Sequence, residues 1–317
     1  MPEISVLMSV FNSEKWLKSS IDSVLSQSED EFEFIIINDG STDNTSSILK
    51  SYKDDRIIIV DQENRGLTKS LNVGLNLAKG KYIARIDADD ISMQNRLDVQ
   101  KKFMEENPDI ALVGSDAIII DEKGNKVGHA KYPTSHTMLS NKLYNFKSVF
   151  PHSSIFFRKN IIMKGGGYNE NFIRSQDYDL YLRISEEYKI ACINKPLLNL
   201  RLNLSGPTYS DDNQLIFGLA AVINHYLRDR GLEEKIGAHN NWNNYYNEVS
   251  KWVIEKNLDK KHQSKIDFRI CRLYLRQKKY LDAFKKFLVC VKNDPMFIFY
   301  KGVPINFPID IKHFLAE

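Results

Sequence analysis

The stretch that decides the fold is Lys81-Tyr82-Ile83-Ala84-Arg85-Ile86-Asp87-Ala88-Asp89-Asp90. An apolar strand runs straight into three carboxylates, and an open α/β sheet binds its ligands beyond the carboxyl ends of its strands. Clustered carboxylates repel one another, so we expect a cation or several hydrogen-bond donors beside them. The stretch predicts either a site where Mg²⁺ or Mn²⁺ bridges a phosphorylated ligand or a solvated acidic loop.

Three further strands are predicted before this stretch. They extend from Ile4 to Val10, from Phe32 to Ile37 and from Arg56 to Val60, and their continuous apolar character is typical of strands covered on both faces. Apolar residues at helical spacing separate them, and we expect Asn12-Ser13 to cap the first helix and Ser41 or Thr42 the second. The resulting βαβαβαβ order predicts a parallel doubly wound sheet.

The pattern changes after Asp90. We predict a helix from Arg96 to Glu106 and a strand from Ile110 to Ile120 that Gly114 interrupts. The residues from Asp121 to Asn125 are typical of a hairpin turn, so we expect the sheet to become mixed. The glycine run Gly165-Gly166-Gly167 predicts either backbone that closely approaches a ligand or a plain flexible loop.

Composition is typical of a soluble protein with one large domain or a domain with an appendage. The 317 residues are 42% hydrophobic and 27% charged, and we see no secretory signal and no apolar run of membrane-spanning length. Three cysteines lack metal-ligand spacing, which favours a reducing compartment. We therefore expect a cytoplasmic protein, and we expect no nucleic-acid partner.

The last part of the chain is basic and helical. From Lys251 onward it carries 15 Lys and Arg against 7 Asp and Glu. Apolar stripes on both sides of Arg276 to Lys279 predict an antiparallel helical hairpin, similar to one tetratricopeptide-type unit. The basic surface is either a solvated face or a patch that contacts anionic lipid or a partner, with Met296 to Tyr300 as a candidate interfacial segment.

Five motifs, in order, resemble those of the inverting glycosyltransferases of family 2, whose nucleotide-sugar-binding fold is called GT-A. They are Val6-Leu7-Met8-Ser9-Val10-Phe11-Asn12, Asn38-Asp39-Gly40-Ser41-Thr42-Asp43, Asn64-Arg65-Gly66, Asp87-Ala88-Asp89-Asp90 followed by Arg96-Leu97, and Gln176-Asp177-Tyr178-Asp179-Leu180. The resemblance ends near Ser205. It implies an α/β fold: a GT-A type doubly wound mixed sheet, mostly parallel, over residues 1–209, and a C-terminal α-helical extension over residues 210–317.

The resemblance also implies roles for single residues. Asp39 would hydrogen-bond the base of a UDP-sugar, and Asp87 would face the ribose or support the metal site. Asp89 would bind the Mn²⁺ or Mg²⁺ that holds the diphosphate. Asp177 would be the general base. A glycan or lipid-linked glycan acceptor would contact His152 and Gln176. The full donor-binding set implied is Val10, Phe11, Asn12, Asp39, Arg65, Arg85, Asp87, Ala88 and Asp89.

A single carboxylate base and no enzyme nucleophile imply one displacement, with inversion at the anomeric carbon. The expected activity is transfer of a sugar from a UDP-sugar to a hydroxyl of a growing surface glycan, such as a capsule or O-antigen, at the inner face of the cell membrane. Two residues depart from the family pattern: Gln176 stands where Glu is usual, and Asn203 stands where many members carry His. The alternative is a non-catalytic sugar-nucleotide-binding or scaffold protein with a decayed site.

Overall fold

The computed structural model describes residues 2–204, 213–234, 242–296, 305–307 and 309–315. The chain forms two compact units, one of Met1–Ser140 with Val149–Asn203 and the other of Asn141–Ser148 with Leu204–Glu317. The predicted boundary after residue 209 lies outside the described residues and stays a prediction.

A mixed sheet forms the centre of the first unit. Its strands are β1 (Ile4–Val10), β2 (Phe32–Asp39), β3 (Ile57–Gln62), β4 (Tyr82–Arg85), β5 (Ile91–Ser92), β6 (Ile110–Ile120), β7 (Lys126–Ala130), β8 (Phe156–Arg158) and β9 (Lys189–Arg201). The helices between the strands are α1 (Leu17–Leu25), α2 (Thr45–Ser51), α3 (Leu67–Leu77), α4 (Arg96–Glu106), α5 (His136–Tyr144), α6 (Lys159–Lys164) and α7 (Gln176–Glu187), with a 3₁₀ turn at His152–Ser154.

The order of the strands reverses at β1, and this reversal positions the site. β1 pairs in parallel with β2 on one side and with β4 on the other, and β3 lies outside β2. The chain therefore runs outward from β1 to β3 and then returns to the other side of β1. Open α/β sheets form a ligand crevice at the carboxyl ends of the strands at such a reversal. The predicted parallel arrangement of the first four strands is confirmed.

Both faces of β1 are buried, which explains its continuous apolar sequence. Every second residue from Ile4 to Val10 lies in one core cluster with apolar residues of α1 and α4. On the opposite face, Leu7 packs so closely on α3 that a Cβ atom at Gly74 would lie 2.1 Å from its Cδ1 atom. Helices thus cover the parallel strands from both sides, as a doubly wound sheet requires.

Beyond β4 the sheet becomes mixed, as the hairpin turn predicts. β8 pairs antiparallel with both β4 and β6, β6 pairs in parallel with β9, and β5 pairs antiparallel with β9. β7 forms the predicted hairpin with β6, and the Asp121 N–H donates to the Asn125 carbonyl across the turn. In the part of the chain that the structure describes, four strand pairings are parallel and four are antiparallel.

The predicted caps of the first two helices are wrong. Trp16 precedes α1 and Asn44 precedes α2, and neither makes a capping bond with its side chain. The side chain of Asn12 instead accepts a hydrogen bond from the Thr42 N–H at 2.8 Å. A long-range contact between two loops has replaced the local capping bond that the sequence favours.

The predicted interruption of a strand at Gly114 is also wrong, since β6 runs unbroken through this residue. The glycine is required for another reason. A Cβ atom at Gly114 would lie 2.2 Å from the Cγ atom of Phe150, so the aromatic ring occupies the space of a side chain. A strand glycine can mark such a close approach as well as a break.

The second unit is helical. Its helices are α8 (Asn213–Asp229), α9 (Trp242–Glu255), α10 (Leu258–Arg276) and α11 (Tyr280–Asn293), with a 3₁₀ turn at Ile309–Phe314. The predicted antiparallel hairpin is confirmed for α10 and α11, because Ser264 donates to the Cys290 carbonyl at 3.2 Å and Asp267 pairs with Lys286 at 2.7 Å. Within the described ranges, no helix has the length and apolar character needed to cross a membrane.

Candidate active site

Two loops meet at the carboxyl ends of β1 and β2, and reciprocal hydrogen bonds join them. The Asn12 N–H donates to the Ser41 hydroxyl at 3.0 Å, and the Asn12 side chain accepts from the Thr42 N–H. Asn12 adopts a left-handed backbone conformation with φ of 48°, which asparagine tolerates better than most residues. These hydrogen bonds between the two loops fix the backbone beside Phe11, which is 49% exposed at the sheet edge.

Asp39 ends β2 and is buried. Its carboxylate accepts hydrogen bonds from the N–H groups of Arg65 and Gly66, both at 2.9 Å, and from the Gln62 amide at 2.7 Å. It therefore holds the turn after β3, where Gly66 has a φ of 88°. Because Oδ2 accepts only one of these bonds, it retains a lone pair for a further donor. The predicted contact of Asp39 with a nucleotide base stays a prediction.

Arg85 and Asp87 form an ion pair at the end of β4. The Arg85 guanidinium is 1% exposed and donates to the Asp87 carboxylate and, at 3.2 Å, to the Ser153 hydroxyl. Ser153 in turn donates to Asp87 Oδ2 at 2.9 Å. Burial has the largest single effect and would raise the pKa of Asp87, but the Arg85 charge and the hydrogen bonds from Arg85 and Ser153 together hold that pKa below its usual value. Asp87 is thus kept ionised by a cation built into the sheet.

The three acids after β4 converge. Carboxylate oxygens of Asp87, Asp89 and Asp90 lie within 4.8 Å of one another. Burial, followed by the charge of Asp87, raises the pKa of Asp89 to about 6. Burial and the neighbouring carboxylates raise the pKa of Asp90 well above its usual value. Such shifts indicate negative charge that the protein's own cations leave incompletely balanced.

This acidic cluster fits a divalent cation. Its donors are carboxylate oxygens, which are the ligands that Mg²⁺ and Mn²⁺ prefer. The Asn203 amide lies 3.5 Å from Asp89 Oδ2, so the residue that departs from the family pattern is at the cluster itself. The sequence predicted all three carboxylates together at this strand end, and the resemblance implied Asp87 and Asp89 as the metal ligands; that assignment stays a prediction.

Arg201 has a role that the sequence argument did not assign to it. Its side chain donates to the Asp89 carbonyl at 2.8 Å and to the carbonyls of Asp121 and Glu122, both at 3.1 Å. Its N–H donates to the Asp90 carboxylate at 2.8 Å. Arg201 therefore ties the acidic loop to the β6–β7 turn. The sequence feature that could have indicated this role is the spacing of Arg201 and Asn203 at the end of a strand.

Asp177 lies in the first turn of α7, as predicted, and is half-buried. Burial raises its pKa, while the Tyr178 N–H and the charge of Arg85 lower it. Arg85 and Asp87 are therefore close enough to Asp177 to act on its charge. The structure places Asp177 in the same electrostatic neighbourhood as the acidic cluster.

Aromatic and polar side chains surround this neighbourhood. His152 Nε2 lies 2.8 Å from the Tyr168 hydroxyl, and burial together with Arg85 holds the pKa of His152 well below its usual value, so the imidazole is neutral. The Tyr181 hydroxyl is buried and has no hydrogen-bond partner among the residues that the structure describes. Gln176 is buried beside Asp177. The predicted acceptor contacts of His152 and Gln176 stay predictions.

The glycine run has a structural function that the sequence did not specify. It ends α6, since the N–H groups of Gly166 and Gly167 donate back to that helix. Arg183 donates to the carbonyls of Gly165 and Gly167, both at 2.8 Å. A Cβ atom at Gly167 would lie 2.8 Å from the Asn72 side chain, so the close approach seen here is to the protein itself.

Known proteins share the sequence features that build this geometry. The model of the family "Glycosyl transferase family 2" matches residues 5–166. The chain is 41% identical over 207 residues to the uncharacterized glycosyltransferase MJ1057 of Methanocaldococcus jannaschii, covering 63% of this chain and 71% of that protein. It is 37% identical over 206 residues to the O-antigen biosynthesis glycosyltransferase WbnJ of Escherichia coli, covering 63% and 80%.

Solved structures show the same fold. TarS residues 1–349 of S. aureus in complex with UDP-GlcNAc matches with a TM-score of 0.62 and 18% identity, covering 90% of each chain. The complex of the same protein with UDP matches with a TM-score of 0.60 and 17% identity, covering 93% of this chain and 92% of that one.

These matches define the class of the protein as a sugar-transferring enzyme with a GT-A type fold. The chain belongs to glycosyl transferase family 2. The predicted family and fold class are thereby confirmed. The roles of the individual donor and acceptor residues, including Val10, Arg65, Arg85 and Ala88, stay predictions.

Proposed function

We propose that the protein is an inverting glycosyltransferase that moves a sugar from a UDP-sugar to a hydroxyl of a growing surface glycan. The observation that carries this proposal is the acidic cluster at the strand reversal, with Asp177 in electrostatic range of it. Two similar proteins support it, since WbnJ is an O-antigen biosynthesis glycosyltransferase and TarS was crystallised in complex with UDP-GlcNAc.

On the donor side, the two hydrogen-bonded loops after β1 and β2 would hold the nucleotide. Phe11 and Asn12 would line the base, and Asp39 would offer the lone pair of Oδ2 to a base N–H. Arg65 is exposed after β3, where its guanidinium would suit a phosphate or sugar oxygen. Each of these groups lies on a loop that follows a parallel strand, so the sheet positions them at one edge.

Asp87, Asp89 and Asp90 would hold a Mn²⁺ or Mg²⁺ ion. When bound, such an ion offsets the charge that develops on the departing diphosphate without a proton transfer. Arg85 contributes by keeping Asp87 ionised, and Arg201 contributes by holding the backbone of the acidic loop. Both arginines would act through the acidic residues and not on the ligand directly, because their own hydrogen bonds are made inside the protein.

On the acceptor side, Asp177 would take the proton of the attacking hydroxyl. The acceptor oxygen forms a bond to the anomeric carbon while the bond from that carbon to the diphosphate oxygen breaks, so one displacement inverts the configuration. Burial raises the pKa of Asp177, and a raised pKa makes it a stronger base than an ordinary aspartate. His152 and Gln176 would contact the acceptor.

We further propose that the enzyme works in the cytoplasm, at the inner face of the cell membrane. A lipid-linked glycan acceptor would be presented there, and the basic C-terminal region would supply peripheral contact with the anionic surface.

The test is UDP release from a panel of UDP-sugars with and without Mn²⁺. We expect Asp177→Asn to abolish transfer while UDP binding, measured by thermal shift, is retained. Glu187→Gln, at the exposed far end of the same helix, is the matched carboxylate-to-amide control and should transfer normally. Near-normal turnover by Asp177→Asn would exclude Asp177 as the base, and retention of the anomeric configuration in the product would exclude single displacement.

A second candidate function is that of a sugar-nucleotide-binding protein with a decayed site. The position of Asn203 at Asp89, where an amide replaces a better transition-metal ligand, favours it. The same experiment separates the two functions, since a binder would be stabilised by UDP-sugars and would release no UDP with any donor.

A further inference from the structure

The hairpin of α10 and α11 leaves one face of α11 exposed, and that face is apolar. Ala283 and Cys290 are buried, whereas Leu281 is 68% exposed and Tyr280 65% exposed. At about 100° per residue, five of the exposed apolar side chains of α11 fall within an arc of about 100° around the helix. We call this set the α11 stripe; it consists of Tyr280, Leu281, Phe284, Leu288 and Val291.

A stripe of this size is unusual on a protein surface. Exposed apolar residues normally occur singly, and contiguous patches usually mark a contact with a partner or a membrane. A solvent-facing helix would place polar residues at these positions. We therefore expect another surface to bind the α11 stripe, and the charges around the stripe indicate the kind of surface.

Positive charge borders the stripe. Lys285 and Lys292 are exposed and lie about 20° apart along one edge of it. From residue 258 to residue 293 the hairpin carries eleven Lys and Arg against three Asp. One of these acids, Asp267, is already paired with Lys286. The surface that binds the stripe should therefore have an apolar region for these side chains and negative charge beside that region.

A second copy of this chain fits the charge poorly. A symmetric pairing through the α11 stripe would bring Lys285 and Lys292 of each copy toward the same residues of the other, and like charges at an interface oppose association. An anionic bilayer meets both requirements. Its acyl region accepts apolar side chains, while lysine heads at the edge of the stripe remain among the phosphates.

We propose that the α11 stripe docks on an anionic membrane surface, with α11 lying in the plane of the interface. This inference deepens the membrane contact proposed above and rests on it for its cellular meaning. It assigns the contact to α11 and not to the segment Met296 to Tyr300, of which only Met296 lies within the described residues.

The test is sedimentation of the full chain with vesicles, without sugar donor. Vesicles of phosphatidylcholine alone are compared with vesicles that also contain phosphatidylglycerol, at low and at high salt. We expect binding to the anionic vesicles at low salt and its loss at high salt, because salt screens the lysine attraction. Absence of binding to anionic vesicles at low salt would overturn the proposal.

Two matched variants separate insertion from simple charge attraction. Phe284→Glu places a charge in the stripe, and Val289→Glu places the same charge on an exposed residue about 140° away around the same helix. We expect Phe284→Glu to weaken vesicle binding by about tenfold or more, since burying a large apolar side chain supplies at least that much, and Val289→Glu to weaken it much less. Equal losses would overturn docking through the stripe.

Light scattering of the same samples tests whether a second copy of the chain binds the α11 stripe instead. A dimer that Phe284→Glu disrupts, without vesicle binding by the wild type, would assign the stripe to a second copy and overturn the proposal. UDP release from a UDP-sugar is measured in parallel and should be unchanged in Phe284→Glu. A wild type that releases UDP but does not bind anionic vesicles would reject only the membrane surface, whereas a wild type that binds the vesicles but releases no UDP would reject only the proposed activity.

Discussion

Replacing Asp89 with asparagine should stabilise the metal-free protein at neutral pH while impairing metal binding. The folded protein raises the pKa of Asp89 from 3.8 to about 6, first through burial and then through the charge of Asp87. One pKa unit corresponds to about 1.4 kcal/mol, so the ionised side chain lowers the free energy of unfolding by about 2 to 3 kcal/mol once partial solvent screening is included. Asparagine has the same shape without the charge.

The pH dependence has a definite sign. Below pH 3.8 the side chain is protonated in both the folded and the unfolded chain, so Asp89 costs nothing there. Between pH 3.8 and about 6 the folded chain binds more protons, and its stability falls as pH rises. The gain from Asp89→Asn should therefore be complete near pH 7, roughly half as large at pH 5 and about a fifth as large at pH 4.

Urea unfolding in EDTA at pH 5 and pH 7 measures this gain, with Asp55→Asn as the control because Asp55 is exposed. Added Mn²⁺ should stabilise the wild type more than the variant, since a ligand of the folded state raises its stability. A variant no more stable than the wild type at pH 7 in EDTA would refute the electrostatic reasoning. So would a gain of equal size at both pH values.

Three further changes test other parts of the site. Gly114→Ala should destabilise the protein by about 1 to 3 kcal/mol in thermal unfolding, because the added methyl group meets the ring of Phe150; a neutral effect would show that the ring moves away easily. Arg201→Lys keeps the charge but cannot bridge three carbonyls, so Mn²⁺ affinity by calorimetry should fall about tenfold or more, and unchanged affinity would contradict its role in holding the acidic loop. Asn203→His should favour Mn²⁺ over Mg²⁺ in UDP release, since imidazole prefers transition metals, and an unchanged metal preference would place residue 203 outside the metal site.

The elements around the acidic stretch were predictable because their signals are local. The apolar runs of β1 and β2 identify buried strands, and their alternation with helical spacing indicates a doubly wound sheet. The carboxylates of Asp87 and Asp89 follow a strand of the same kind. The position of the site at the carboxyl edge therefore follows from the order of the elements alone.

The supporting contacts were not predictable, since they join residues far apart in sequence. Ser153 reaches Asp87 across 66 positions, and Arg201 reaches Asp89 across 112. The failed cap at Asn12 has the same cause. Its side chain suits a helix start, but a contact with Thr42, 30 residues away, satisfies it instead. Local propensity does not show which long-range partner competes for a polar side chain.

The arrangement of charge argues for a working site over a decayed one. Arg85 forms an ion pair with Asp87 within the protein, whereas Asp89 and Asp90 form no ion pair among the described residues and keep raised pKa values although Arg85 and Arg96 lie near. In the absence of a ligand this arrangement only lowers stability. A protein that merely bound a nucleotide through its base would gain nothing from the second and third carboxylates, and replacing them with amides would make it more stable. Groups held at such a cost are characteristic of sites that bind a cation or perform chemistry. Asn203 stands where many family members carry His, and this difference leaves the negative charge of the acidic cluster unchanged.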